Sequence, residues 1–157
     1  MDITIHDVTQ ENVQAILNLR VGAAQQGFIE STQQCLDEAK ECANYKPVGL
    51  YVDHELIGFS MYGYFQEREG DGRVWLDRFL IDANYQGFGY GKTMLTAMID
   101  KLVDEFACET IYLSVYEDNK AAIHLYEKFD FHFNDELDEN GEKIMVKNFQ
   151  NINGQRQ

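Results

Sequence analysis

Residues 86–92 read Gln-Gly-Phe-Gly-Tyr-Gly-Lys, three alternate glycines between two runs of different periodicity. Val74 to Ile81, before them, is apolar and strand-like; Thr93 to Phe106, after them, repeats with helical spacing. A strand that turns into a helix through glycines demands a sheet with a helix packed on it. It also puts a ligand site at the carboxyl end of that strand. Glycine adopts backbone angles other residues resist, so the chain can turn tightly here and approach a ligand closely. The helix start contributes unsatisfied N–H groups and a partial positive charge, which suit a phosphate. Gln86, Gly87, Phe88, Gly89, Tyr90, Gly91 and Lys92 therefore read as a loop that holds a pyrophosphate, against the alternative of a glycine-rich turn with no ligand.

Two phosphate-binding patterns nearly match and fail. Gly91-Lys92-Thr93 would end a P-loop, but the glycine that must open it falls on Gln86. The dinucleotide pattern Gly-x-Gly-x-x-Gly would need glycine at Lys92. Gln-x-x-Gly-x-Gly fits, as Gln86, Gly89 and Gly91. That pattern resembles the acetyl-CoA loop of the GNAT family of N-acetyltransferases.

The wider sequence fits one globular unit. With 157 residues, 45% apolar content and a single proline, the chain reads as one domain over residues 1–149 and a polar tail over 150–157. No apolar run nears the ~20 residues that span a bilayer. Met1-Asp2-Ile3-Thr4 lacks the layout of a signal peptide. Cys35, Cys42 and Cys108 are odd in number and read as reduced thiols, which points to the cytoplasm. His6, His54, His124 and His132 have no ligand spacing, so no metal is expected; His124 is a minor acid–base candidate. The net charge of −14 disfavours nucleic acid and anionic membranes and favours small cations, although solubility alone would also explain it.

The expected order of elements is β-α-α-β-β-β-α-β-α-β-β, a mixed α/β layout. Ile3 to His6 alternates as a strand, and Val13, Ile16 and Leu17 share a helical face. Ser31 reads as the N-cap of a helix through Cys42, ended by Pro47. Val48 to Val52 and Leu56 to Phe65 pair across an Asp53-His54 turn. Ile111 to Val115 is a strand, Asn119 caps a helix, and Phe131 and Phe133 lie on a strand that Asn140-Gly141 turns into Ile144-Met145-Val146.

A second signature runs Asn119-x-x-Ala122-Ile123-x-Leu125-Tyr126-Glu127-Lys128-Phe129-Asp130-Phe131. It resembles the GNAT pattern Asn-x-x-Ala-x-x-Leu-Tyr-x-x-x-Gly-Phe, with Asp130 in place of glycine at a helix end. Both signatures and the order of elements make the likeness span nearly the whole chain. The resemblance implies a GNAT fold with a splayed central sheet and acetyl-CoA as co-substrate. It places Asn119 beside the pantetheine or pyrophosphate arm, with Ala122 also on the cofactor, and Tyr126 beside the sulfur as the proton donor to the leaving thiolate. It gives backbone groups of Phe79, Leu80 and Ile81 the task of holding pantetheine and polarising the thioester. It also aligns Asp77 with a glutamate assigned as general base in polyamine acetyltransferases of this fold. By its residues alone, Asp77 is either that base or one half of a charge pair with Arg78.

Phe28 to Ser31, Cys35 to Cys42 and Tyr45 to Tyr51 are similar to the substrate side of the bacterial spermine/spermidine acetyltransferases. A polyamine asks for acids spaced along an apolar groove. Glu30, Asp37, Glu41, Asp77 and the acids of residues 67–71 are the candidates, with Phe28, Tyr62 or Trp75 lining the alkyl stems. The expectation is transfer of acetyl from acetyl-CoA to a primary amine of spermidine or spermine, by direct attack, in a homodimer. The rivals are another amine (an aminoglycoside, a small metabolite or a protein N-terminus), a non-catalytic acetyl-CoA sensor, and a P-loop phosphotransferase.

Overall fold

The structure is a computed structural model and describes residues 1–20, 31–67, 70 and 72–149. Its elements are β1 (Ile3–Asp7), α1 (Val13–Leu17), α2 (Thr32–Glu41), β2 (Lys46–Val52), β3 (Glu55–Phe65), β4 (Arg73–Ile81), α3 (Tyr90–Phe106), β5 (Thr110–Val115), α4 (Lys120–Lys128), β6 (His132–Leu137) and β7 (Lys143–Asn148). This is the expected order. The strands form a seven-stranded mixed sheet in the order β1-β2-β3-β4-β5-β7-β6. The chain divides into two compact units, Met1–Gly63 with Leu76–Met98, and Tyr64–Trp75 with Ile99–Gln157.

In the first unit β1, β2 and β3 form an antiparallel meander. Ile3 pairs with Val52, and Lys46 with Tyr62. The β2–β3 turn has positive φ at both Asp53 and His54, the backbone that a two-residue hairpin needs to match strand twist. Pro47 lies inside β2 rather than ahead of it. It is tolerated because the β1 register stops at Val48, so its missing N–H removes no bond of that ladder. Helix α2 starts as expected at Ser31. The Ser31 hydroxyl accepts from the Gln34 N–H, and the Gln34 side chain accepts from the Ser31 N–H. Such a reciprocal cap contributes roughly 0.5–2 kcal/mol. The helix packs Cys35 and Leu36 against Ile16, Phe59 and Met61, all buried, with Tyr45, Ala39 and Leu80 at the margin. Each large apolar side chain so enclosed contributes about 1.5–3 kcal/mol.

In the second unit β4 runs parallel to β5, with Val74 opposite Ile111 and Trp75 opposite Tyr112. Antiparallel β7 joins β5 from Thr110–Asn148 to Val115–Lys143, and β6 completes this side. Ile111, Leu113, Phe131, Ile144 and Met145 are buried. The β6–β7 turn is organised by Asp138, whose carboxylate accepts from the N–H groups of Asn140 and Glu142, and Gly141 takes positive φ as its position requires.

Helix α3 begins at Tyr90, three residues earlier than its apolar periodicity suggests. Of the three loop glycines, Gly87 and Gly89 have positive φ, and Gly91 belongs to the first helical turn. The substrate-side candidates Phe28 and Glu30 lie outside the described residues, as does the polar tail over 150–157.

Gly58 is required for a different reason. A Cβ there would sit 2.5 Å from the Leu80 carbonyl oxygen, which is backbone and cannot rotate away. Gly58→Ala is therefore expected to destabilise the chain by about 1–3 kcal/mol. A fall in the urea midpoint at unchanged slope would measure this; an unshifted midpoint would refute it.

Candidate active site

The first unit carries the glycine loop. Strand β4 ends at Ile81, and Asp82 follows, 6% exposed. One Asp82 carboxylate oxygen accepts from the Arg20 N–H at 2.8 Å and the other from the Asn84 N–H at 2.8 Å. The Asp82 N–H donates to the Ile57 carbonyl, and the Ala83 N–H to the Arg20 carbonyl. These bonds fix a short 3-10 turn, Ala83–Tyr85, immediately before the loop. The Gln86 side-chain amide then reaches back to the Ile81 carbonyl at 2.9 Å, so the residue that opens the motif ties the loop to the strand end. Gly87 (φ 86) and Gly89 (φ 84) face open space, where a Cβ would meet nothing within 4 Å. Their backbone conformation, not lack of room, demands glycine. Beyond them α3 has 17 residues, and its first-turn N–H groups have no carbonyl within the helix to bind. This arrangement fits the pyrophosphate of a coenzyme A thioester. Phe88, 71% exposed, lies 6.3 Å from the Tyr90 ring, and Tyr90 lies 6.3 Å from Tyr85. Lys92 is exposed; Phe79 and Leu80 are half-buried, and Ile81 is buried.

The same unit holds Asp77 and Arg78. The Arg78 guanidinium donates to the Asp77 carbonyl at 2.6 Å and stands 3.4 Å from its carboxylate. The Ser60 hydroxyl donates to the Arg78 carbonyl at 2.6 Å, fixing the strand there. Tyr45 joins this group. Burial and then the Asp77 and Glu38 carboxylates push its phenol up to about 12, against a smaller opposing pull from Arg78. Asp37 and Glu41 lie on the exposed face of α2, where Asp37 accepts from the Gln33 side chain. Glu30 lies outside the described residues.

The second unit carries the other signature. The Asn119 carboxamide accepts from the Ala122 N–H at 3.4 Å and caps α4, 8% exposed. The helix ends with Asp130 at φ 68, the left-handed position that glycine normally fills. The Phe131 N–H donates to the Tyr126 carbonyl and the Asp130 N–H to the Glu127 carbonyl, the paired closure of a Schellman cap. The Phe131 ring meets Tyr126 edge-on at 5.8 Å. The spacing from Tyr126 to Phe131 is thus the geometry of a helix end that clamps Tyr126. Burial around its hydroxyl pushes Tyr126 up to about 12. Trp75 is half-buried against Tyr112, Tyr62 is buried, and His124 is exposed. Arg73 engages Glu136 through two nitrogens, at 3.1 and 3.2 Å, and Glu67 at 3.5 Å, so two of the surface acids already hold a cation.

Sequence reasoning gave Asp82 no role and named Glu38 and Tyr45 only within longer substrate-side stretches. A helical wheel places Asp37 and Glu41 opposite buried Leu36 and Cys35, and Glu38 on the flank of that buried face. That signal was available. The Asp82–Arg20 contact spans 62 residues of sequence and left none. Among the described residues no group of His, Cys, Asp and Glu could hold a metal ion, and no helix is long and apolar enough to cross a membrane.

Two glycine-shaped turns, a clamped tyrosine and a mixed sheet in this order define an acyl-CoA transferase architecture. The acetyltransferase (GNAT) family model matches residues 13–131, and the chain belongs to that family. Among individual relatives, the Bacillus subtilis (strain 168) spermine/spermidine N(1)-acetyltransferase is 56% identical over 150 residues, 94% of this chain and 99% of that protein. The fold is also that of the Vibrio cholerae spermidine N-acetyltransferase in complex with CoA and spermine (TM-score 0.69, 18% identity, 92% of each chain). A third likeness is the PaiA N-acetyltransferase of Thermoplasma acidophilum in complex with coenzyme A (TM-score 0.67, 18% identity, 95% of this chain and 100% of that one).

Tyr45 and Tyr126 hold their protons more tightly when folded than in the unfolded chain, where tyrosine titrates near 10. The linked stability is complete below about pH 10 and is lost as pH rises through about 12. Phenolate absorbance developed by about pH 11 should therefore be nearly the same in wild type, Tyr45→Phe and Tyr126→Phe. A reduced amplitude in either variant would mean that its tyrosine ionises normally.

Proposed function

We propose that this protein is an acetyl-CoA-dependent N-acetyltransferase that acetylates a primary amine of spermidine or spermine. The observation that carries the reading is 56% identity, over 94% of the chain, to an enzyme named for that reaction. Acetyl-CoA supplies the activated acyl group as its thioester. The Gly87–Lys92 backbone and the first turn of α3 hold the pyrophosphate, and backbone groups of Phe79, Leu80 and Ile81, with Asn119 and Ala122, hold the pantetheine arm. Trp75 lines the amine's alkyl stem, and Glu30, Asp37 and Glu41 draw the polycation in.

Asp77 accepts a proton from the substrate ammonium, directly or through water, because an amine with a pKa near 10.4 is protonated at neutral pH and cannot attack. Arg78 beside it, 3.4 Å away, orients the carboxylate. Tyr126 donates to the departing sulfur. A phenol at about 12 keeps its proton until the thiolate forms, and the burial that raises it raises an adjacent thiolate as well, which narrows the gap for transfer. The reading includes a cytoplasmic homodimer.

Thiol release from acetyl-CoA by purified protein tests the reading, with spermine, spermidine, putrescine, an aminoglycoside and no amine compared in parallel. Turnover is expected to be greatest with spermine or spermidine; turnover only elsewhere would overturn the substrate. Tyr126→Phe is expected to lower kcat by about 10²–10⁴ with the KM for acetyl-CoA unchanged. A kcat within twofold of wild type would remove Tyr126 from the chemistry.

A further inference from the structure

Among the described residues Asp82 is the only charged residue that is buried. A carboxylate taken out of water is costly unless its oxygens are satisfied, and here both are. The two bonds do different jobs. The Asn84 N–H closes the start of the Ala83–Tyr85 turn, a task that needs one acceptor and that serine or asparagine also performs. The Arg20 N–H takes the second oxygen, from 62 positions away on the chain leaving α1. The Ala83 N–H returns a bond to the Arg20 carbonyl at 2.7 Å, so Arg20 is held through both its backbone groups. The Asp82 N–H donates to the Ile57 carbonyl of β3 at 2.8 Å. The end of β4 is thus fastened to two other segments of the first unit, just ahead of the glycine loop.

The loop depends on such fastening. It offers a ligand backbone N–H groups, and these, unlike side chains, cannot turn toward it by changing rotamer. Gly87 and Gly89 have no side chains to hold the loop by packing, and the space beside them is open. The aim of the amides is therefore set from the two ends. At one end the Thr93 N–H and hydroxyl both reach the Gly89 carbonyl at 3.3 Å, in the first turn of α3. At the other end stand the Gln86 side chain on the Ile81 carbonyl and the Asp82 carboxylate.

We propose that Asp82 is a positioning residue for the cofactor: through Arg20 it holds the strand end from which the Gly87–Lys92 amides meet the pyrophosphate. This rests on the reading of that loop as the pyrophosphate cradle. Asp82 itself touches no substrate. Without its tie to Arg20 the loop takes its binding form only part of the time, and apparent affinity falls by that fraction. Saturating cofactor restores the form, so KM rises while kcat stays. An acetyl thioester without a pyrophosphate does not sense the change.

Asp82→Asn keeps the shape but has one acceptor oxygen, so one of the two N–H groups faces an NH2. In the full chain this variant should raise the Kd for CoA, measured by titration calorimetry, by about 10–100-fold, the span of a hydrogen bond to a charged group. The KM for acetyl-CoA should rise with it, while kcat at saturation and kcat/KM for S-acetylpantetheine stay within about threefold of wild type. A Kd for CoA within about twofold of wild type overturns the inference. So does an equal loss with acetyl-CoA and acetylpantetheine, which a merely structural role would produce. Should Asp82→Asn fail to fold, Asp82→Ser decides by the same measurements, because it keeps an oxygen for Asn84 and releases Arg20. Failure of both to fold would make Asp82 a residue of the fold rather than of the loop, and would also overturn the inference. A wild type with equal kcat/KM for acetyl-CoA and acetylpantetheine would overturn the pyrophosphate reading itself. That result differs from a preference for acetyl-CoA that survives Asp82→Asn.

Discussion

The Asp82 carboxylate is the point from which the cofactor side of the first unit is built. It is buried at the end of β4, yet both its oxygens accept backbone N–H groups, one from Arg20 and one from Asn84. A buried carboxylate so satisfied is bound more strongly than by neutral hydrogen bonds. It therefore joins the end of the strand to the chain leaving α1 and starts the turn that aims the glycine loop. The Gln86 side chain then repeats the connection from the other side, on the Ile81 carbonyl. Neither contact needs to touch a ligand. They set the direction in which two positive-φ glycines present their amides, and a small error there would be carried into the start of a 17-residue helix.

What was legible in the sequence is what depends on neighbours along the chain. The Asn119 cap, the Ser31–Gln34 box, the Asp53-His54 turn and the Tyr126-to-Phe131 closure each involve residues at most five positions apart, and each leaves a residue-type signature. The order of elements followed from them and from apolar periodicity. What was not legible depends on distant partners. Asp82 and Arg20 meet across 62 positions, and Tyr45 is tied electrostatically to Asp77 on another element. Charge counting selected acidic residues without a face. The wheel of α2, read with its buried Cys35 and Leu36, puts Glu38 on the flank of the buried face and Asp37 and Glu41 outward.

The acidic surplus is accordingly uneven. Around Arg73, Glu136 and Glu67 hold a guanidinium that also lies 4.4 Å over the Tyr112 ring. The Arg73 bond holds the exposed Glu136 carboxyl below its usual range, although solvent screens such a pair heavily. Near Asp77 the acids are less exposed, and Arg78 stands 3.4 Å from the Asp77 carboxylate. Two regions of similar composition thus differ in how far water reaches them.

Asp130 has a history written into its backbone. At φ 68 it occupies a left-handed cap where the GNAT pattern has glycine, and Lys147 reaches across to the Phe129 carbonyl at 2.7 Å to steady the same corner. Aspartate is among the few residues that accept this conformation without large strain. Aspartate and glycine codons differ by a single base, so one mutation exchanges the two residues at a position whose backbone accepts either, and the tyrosine four positions earlier keeps its place.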